Sequence, residues 1–188
     1  LGKVTSLRTL SLRYTTDVTD AGLKDLGGLK NLQALDLQGT KVTDAGMKEL
    51  AALESLERLT LGQTQVTGAG LKDLADLKHL KRLGLGDKAT NEGLKGGATL
   101  KHLESLSLAD ARITDAGLKE LVGLTNLRSL GLAFTKVTSA GLKDIARMKG
   151  LRWVQFSDNM VTPAAVEELK KALPNCWLHV HGYVGYSL

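Results

Sequence analysis

Apolar residues recur along this chain in six-residue segments of the form Leu-x-x-Leu-x-Leu, which begin 23 to 25 residues apart. Within each segment the last two leucines alternate with polar or small residues, which is the period of a β-strand with one buried face. The segments begin at Leu7, Leu32, Leu56, Leu80, Leu103, Leu127 and Leu151, and a weaker copy begins at Asn175. A fixed period of this size indicates stacked units, so the pattern predicts eight parallel strands.

Each strand is followed by a version of Thr-x-Val-Thr-Asp-Ala-Gly-Leu-Lys, which predicts a short helix. Its second threonine is the expected N-cap, at Thr19, Thr43, Thr67, Thr90, Thr114, Thr138 and Thr162. Pro163 supports this register because proline is favoured at the first helical position. Asp20, Asp44 and Asp115 hold that position in other copies, where their charge suits the helix dipole.

A glycine two positions later is a poor helix former, so its recurrence requires a packing reason. We expect a close approach of the helix to the strand layer. The fourth copy differs, because Gly97 replaces the apolar residue of the other copies and a helix is not expected there. The fourth copy is therefore expected to be either a degenerate repeat with a local loop or a point of altered curvature or flexibility.

These repeats resemble the leucine-rich repeat superfamily, most closely its cysteine-containing subtype and similar bacterial repeats of planctomycete type. The segments 113–118 (Ile-Thr-Asp-Ala-Gly-Leu) and 42–47 (Val-Thr-Asp-Ala-Gly-Met) carry the match. The cysteine of that subtype is replaced by Thr40, Thr64, Ala111, Thr135 and Asn159. The resemblance implies an α/β solenoid, with a curved parallel sheet on the concave face and short helices on the convex face.

The whole chain, residues 1–188, is expected to form a single domain of this kind. It has about seven repeats and a C-terminal capping segment, 175–188, whose residues from His179 onward are expected to be irregular and to cover the last strand. Residues 1–4 read as the inside of a repeat without a capping helix, so an N-terminal cap is expected to be absent and the chain to be part of a longer one.

Charge and composition narrow the choice of partner. The formal net charge is +5, but the lysine that follows the helix motif is usually next to an acidic residue, so a mixed convex surface is predicted rather than a basic groove. Nucleic acid and membrane are therefore not expected partners. The single cysteine excludes an internal disulfide, and no secretion signal or membrane span is visible in the sequence. These observations leave the location unknown and favour an intracellular one.

The strand alternation places one set of side chains on the concave face. Aromatic residues and arginine commonly anchor protein interfaces, so the candidate partner-binding residues are Asp36, Arg58, Arg82, Phe134, Trp153, Gln155 and Trp177. Two alternatives stay open. The arginines can be merely solvated, and the tryptophans can serve only to shield the terminal core.

Catalytic chemistry is not indicated, because the repeat places no serine, histidine and carboxylate together and contains no phosphate-binding loop. No cofactor or metal is expected. His79 with His102, or His179 and His181 near Cys176, falls short of the four ligands of a structural metal site. The sequence predicts a non-catalytic module that binds a protein or peptide on its concave face. The alternatives are self-association through the solenoid ends and, by resemblance, the substrate-recognition part of a ubiquitin-ligase-like protein.

Overall fold

The computed structural model describes residues 6–157 and 160–181. They form one parallel β-sheet with helical segments packed against one of its two faces. Its eight strands follow chain order, each paired with the next. They are β1 (Thr9–Ser11), β2 (Ala34–Asp36), β3 (Arg58–Thr60), β4 (Arg82–Gly84), β5 (Ser105–Ser107), β6 (Ser129–Leu132), β7 (Trp153–Ser157) and β8 (Trp177–His181). The predicted strand count and parallel pairing are confirmed.

Leucine fills the space between the sheet and the helices. The central leucine of each inner strand, such as Leu59 or Leu106, is at most 3% exposed, and the leucines of the following helix pack against it. At the two ends the equivalent positions are only partly buried, as at Leu10 and Leu178. A repeat therefore buries its apolar face against its neighbours and not within itself, which is why stacking supplies the stability.

The convex side consists of short helical segments, several of them 3₁₀. The α-helices are α1 (Asp20–Leu23), α2 (Met47–Leu50), α3 (Asp115–Leu121), α4 (Leu142–Ile145) and α5 (Pro163–Ala172). The 3₁₀ segments are Lys24–Leu26, Asp44–Gly46, Leu71–Leu74 and Gly93–Thr99. A helix was not expected in the fourth repeat, but Gly93–Thr99 is helical. Gly97 is buried there without a side chain, and the tighter 3₁₀ turn completes the repeat.

The predicted threonine N-caps are confirmed at Thr43, Thr114 and Thr162, each of which directly precedes a helical segment and accepts a hydrogen bond from a backbone N–H. Thr67, Thr90 and Thr138 accept the same kind of bond, but they are not N-caps, because the helical segments there begin later, after Gly70, Glu92 and Gly141. Thr19 has the extended backbone of a cap but makes no such bond.

The aspartate after the threonine acts mainly between repeats, which the dipole argument did not foresee. The carboxylate of Asp20 accepts from the N–H (2.8 Å) and the hydroxyl (2.7 Å) of Thr43 in the next repeat. Asp115 binds Thr138 in the same way, and the Asn91 amide joins to Thr114. We call this series of contacts the carboxylate ladder. It ties neighbouring repeats together at four places, including the contact of Asp44 with Thr67.

The recurrent glycine makes room for this ladder. A Cβ on Gly46 would collide with the Asp20 carboxylate, and a Cβ on Gly117 would lie 2.5 Å from Oδ1 of Asn91. Gly22, with no earlier ladder residue beside it, has nothing within 4 Å. The expected approach to the strand layer was therefore wrong, because the close neighbour is the capping side chain of the preceding repeat.

The threonines at the cysteine position of the resembled subtype are buried. Thr40, Thr64 and Thr135 are at most 8% exposed. Each hydroxyl donates at 2.7 Å to the backbone carbonyl three residues earlier, so its burial leaves no polar group unsatisfied. Asn159, which was predicted to share this position, lies outside the described residues.

The C-terminal capping segment is more regular than expected. Helix α5 ends at Ala172, just before Leu173 and Pro174. Residues 179–181 were expected to be irregular, but they belong to β8, which pairs with β7 over its full length. Residues 182–188 lie outside the described residues, as do residues 1–4, where the absence of a cap was expected.

Candidate functional site

The strand registers place eight side chains in one line across the concave face. Each is the first residue of its strand and pairs directly with the next. We call this line the concave row: Thr9, Ala34, Arg58, Arg82, Ser105, Ser129, Trp153 and Trp177. A basic pair and an aromatic pair are thus separated by two serines on one continuous face of the sheet.

The basic pair lies on β3 and β4, where Arg58 and Arg82 are direct cross-strand neighbours. Both side chains are exposed. Within the described part of the chain, neither guanidinium makes a hydrogen bond or an ion pair. Like charges placed opposite each other destabilise a sheet, so we expect this arginine pair to lower the free energy of unfolding. No described contact of either guanidinium offsets that loss.

Small residues surround the basic pair and keep the groove open. Gly62, Gly84 and Gly86 lie at the carboxyl ends of β3 and β4, and Ser105 and Ser107 continue the floor on β5. Together with the two arginines they border a depression of ≈ 840 Å³. The backbone of a ligand can approach the sheet closely here, while its side chains can reach the guanidinium groups.

The aromatic pair occupies the other end of the concave row. Trp153 and Trp177 are direct neighbours on β7 and β8. Trp153 is half-buried, whereas Trp177 is 55% exposed. More than half of the Trp177 surface is therefore available for contact. Tryptophan offers a large rigid apolar surface at low entropic cost, which suits it to anchor a partner.

Asp36 and Gln155 lie in the neighbouring line of concave side chains, two residues further along their strands. Asp36 Oδ1 accepts a hydrogen bond from the backbone N–H of Gln38 at 3.0 Å, so this carboxylate also stabilises the end of β2. Gln155 is half-buried and pairs in register with His179 of β8. The structure therefore brings Gln155 to the aromatic end of the groove and Asp36 to the basic end.

Phe134 lies at the rim, immediately after β6. It is 58% exposed and has a left-handed backbone with φ of 57°. Its backbone N–H donates to Ser157 Oγ at 2.8 Å. Left-handed conformations are costly for a residue with a bulky side chain, and strain of this kind is concentrated at functional sites.

The same left-handed position recurs in other repeats, and sequence reasoning overlooked its occupants. Tyr14, Gln63 and Asp110 have φ between 54° and 63°, and Gly39 has φ of 73°. Tyr14 is 57% exposed, lies 5.1 Å from the Arg13 guanidinium and accepts from Gln38 Nε2. The spacing from each strand could have indicated this rim, because the position always follows the last core residue of the strand by two.

The remaining chemistry of the described residues is limited. They contain no cluster of three or more histidine, cysteine, aspartate or glutamate side chains that could hold a metal ion. No helix among them is both long enough and apolar enough to cross a membrane. Burial raises the pKa of the Cys176 thiol despite the nearby charge of Arg152, which disfavours the reactive thiolate. The helix lysines, such as Lys48 and Lys119, are exposed on the convex side.

Comparison with known proteins identifies the family of this chain. A sequence model described as a leucine-rich repeat region matches residues 1–171. The chain belongs to the leucine-rich repeat family. A comparison with curated proteins found no match.

Two solved leucine-rich repeat structures from Listeria monocytogenes show the same fold. One is an internalin C2, 26% identical with a TM-score of 0.71, covering 94% of this chain and 74% of that one. The other is an internalin, InlF, 19% identical with a TM-score of 0.64, covering 95% of this chain and 57% of that one. Leucine-rich repeat proteins typically act in protein–protein interaction, and membership of this family suggests an interaction module here too.

Proposed function

We propose that this chain is a non-catalytic recognition module that binds a protein or peptide on its concave face. The observation that carries the proposal is the concave row, in which two arginines without a described ion pair and two tryptophans, one of them 55% exposed, lie on one sheet. Arginine and tryptophan are the residue types most enriched among interface anchors. The proposed contacts are Arg58, Arg82, Trp153 and Trp177, with Asp36, Gln155 and Phe134 beside them.

Rigidity of the surface supports the same proposal. The backbone of the inner strands is held by core residues packed between repeats, so little backbone order is lost when a ligand binds.

Within the family, we propose that the repeats are of the cysteine-containing subtype. The segment 113–118 carries the subtype motif, and Thr40, Thr64 and Thr135 occupy the cysteine position as small buried residues.

Selection from a random peptide library tests the proposal. Enriched peptides are expected to lose about tenfold or more in affinity with Trp153→Ala, because an anchor residue contributes more than about 1.4 kcal/mol. Lys48→Ala, an exposed change on the convex face, is the matched control and should leave affinity unchanged. Unchanged affinity for Trp153→Ala, or equal loss in the control, would refute binding on the concave face.

Assembly through the solenoid ends is the second candidate, and one observation favours it. Beside β8 a groove of ≈ 580 Å³ is lined by apolar residues that include Val161, Val166, Leu178 and Val180, and by the charged residues Arg152, Glu167 and Lys170. A second copy of the chain could cover these partly buried residues. Sedimentation over a wide concentration range tests this. A mass that rises with concentration in the wild type but not in Val180→Glu would support assembly, and a constant monomer mass would reject it.

A further inference from the structure

The concave row has a definite chemical polarity, which constrains the partner more than the proposed function alone. Moving along the sheet, it changes from two guanidinium groups through two small hydroxyl side chains to two indoles. Because the strands pair in chain order, the backbone positions of these groups lie at regular distances from one another along the axis of the solenoid. A ligand that contacts both ends must match that spacing.

We propose that the concave row recognises an extended acidic segment of a partner protein, with a carboxylate side chain at Arg58 and Arg82 and an apolar or aromatic side chain at the tryptophans. This inference rests on the proposed function, since it names the ligand class of that same surface. The unpaired guanidinium groups favour a carboxylate because arginine binds this group through two parallel N–H donors.

The spacing follows from strand geometry. Three strand steps separate Arg82 from Trp153 in the register, which is about 14 Å at about 4.8 Å per step. An extended chain advances about 3.3–3.6 Å per residue, so this distance corresponds to about four residues. The ligand therefore carries an acidic residue and an apolar residue about four positions apart. The order of the two depends on the direction in which the ligand runs.

The middle of the row fits a backbone rather than another large side chain. Ser105 and Ser129 are half-buried, and the adjacent line at this point contains Ser107 and Gly131. Hydroxyl groups can donate to or accept from a peptide backbone, and the lack of bulk lets that backbone lie close to the sheet. Between its two anchors the ligand is thus expected to show little sequence preference.

The local charge balance also favours an acidic ligand. Two acidic residues, Asp87 and Asp110, line the depression together with Arg58, Arg82 and Lys88, so three positive side chains face two negative ones. Asp87 also forms an ion pair with Lys88 at 2.9 Å. Asp36 is engaged with the backbone of Gln38. The arginine pair is the charged feature of the concave row that no described contact neutralises, so an incoming carboxylate would face attraction without displacing an existing ion pair.

A peptide selection read for sequence, not only for affinity, tests this inference. With the wild-type chain, enriched peptides should contain glutamate or aspartate about four residues from an aromatic or large aliphatic residue, in either order. Selection on Arg58→Ala, Arg82→Ala should keep the apolar preference and lose the acidic one. If wild-type peptides bind on the concave face without an acidic preference, this inference fails while the proposed function survives. If no peptide is enriched, or if none depends on Trp153, both fail.

Charge exchange provides the second test. For an enriched glutamate peptide, Arg58→Glu, Arg82→Glu should weaken binding on the order of tenfold or more, and replacing the peptide glutamate by lysine should restore binding to that variant. The interaction should also weaken with rising salt. Failure of the lysine peptide to recover affinity on the folded variant would overturn the pairing. Stronger binding of a single-stranded oligonucleotide than of any acidic peptide would show that phosphate, not carboxylate, is the ligand group.

Discussion

Removal of the Asp44 side chain tests the carboxylate ladder, which joins neighbouring repeats on the helical side of the sheet. The Asp44 carboxylate accepts from Thr67 Oγ1 at 2.7 Å and from the backbone N–H groups of Thr67 (3.0 Å), Gly68 (3.0 Å) and Gly70 (3.1 Å). The substitution Asp44→Ala leaves all four donors without this acceptor. It uncouples the helical segment of the third repeat from the second.

The expected loss can be worked from these contacts. Hydrogen bonds to a charged group contribute about 1.5–3 kcal/mol each, but this carboxylate is partly exposed and water can replace some of its bonds. We therefore expect Asp44→Ala to reduce the free energy of unfolding by about 2–3 kcal/mol. Asp44→Asn should cost about 1 kcal/mol, because Asn91 already joins two repeats through an amide at the equivalent position.

The pH dependence of the free energy of unfolding provides a second test of the ladder. Desolvation raises the pKa of Asp44, but hydrogen bonds from Thr67, Gly70 and Gly68 outweigh it and leave the pKa below its usual value. A carboxyl whose pKa is lowered by folding stabilises the protein above its unfolded pKa of about 4, and this contribution is lost as pH falls through the native pKa. The gap between wild type and Asp44→Asn should therefore be full at neutral pH and shrink in acid.

Urea unfolding followed by circular dichroism, at neutral and acidic pH, provides the measurement. Asp73→Asn is the matched control, since Asp73 is an exposed carboxylate on the same convex side. Its unfolding free energy should stay within about 0.5 kcal/mol of the wild type. A stabilising role of the ladder would be refuted if Asp44→Ala behaved like this control. It would also be refuted if the difference in unfolding free energy between wild type and Asp44→Asn were the same at both pH values.

Three further changes test other parts of the account by the same unfolding assay. Gly93→Ala should cost more than about 2 kcal/mol because its Cβ would collide with the backbone carbonyl of the preceding repeat. Gly22→Ala, where the space is open, should stabilise by about 0.5–1 kcal/mol, and similar effects at the two glycines would contradict the packing. Phe134→Gly should be neutral or stabilising, because it removes left-handed strain from an exposed side chain, yet it should weaken partner binding; a large loss of stability would show a packing role instead. Arg82→Glu should gain about 0.2–1 kcal/mol by replacing a like-charge pair with an ion pair to Arg58, and a loss would show that the two side chains do not interact.

The sequence predicted the sheet well because each strand repeats the same alternation of buried and exposed residues. Leu59 and Leu106, in different repeats, are placed by the same rule, and so are Arg58 and Trp153 on the opposite face. Periodicity carries this information without knowledge of any long-range contact.

Contacts between repeats were harder to predict from the sequence. The local reading assigned Asp44 to its own helix dipole, but its partners lie 23 to 26 residues later in the chain. The recurrent glycine, as at Gly46, was understood as a close approach, but the approaching group belongs to the preceding repeat. The rim position recurs at a fixed spacing from each strand, but its side chain differs from one copy to the next. The sequence pattern therefore did not single out exposed rim residues such as Tyr14.

Side-chain oxidation footprinting of the chain, with and without an enriched peptide, tests the central claim most directly. Trp177 and Phe134 are 55% and 58% exposed and should become protected when the peptide occupies the concave face. Met160, which is 38% exposed and precedes the convex helix α5, should react equally in both samples. Protection of Met160 with unchanged oxidation of Trp177 and Phe134 would contradict concave-face recognition.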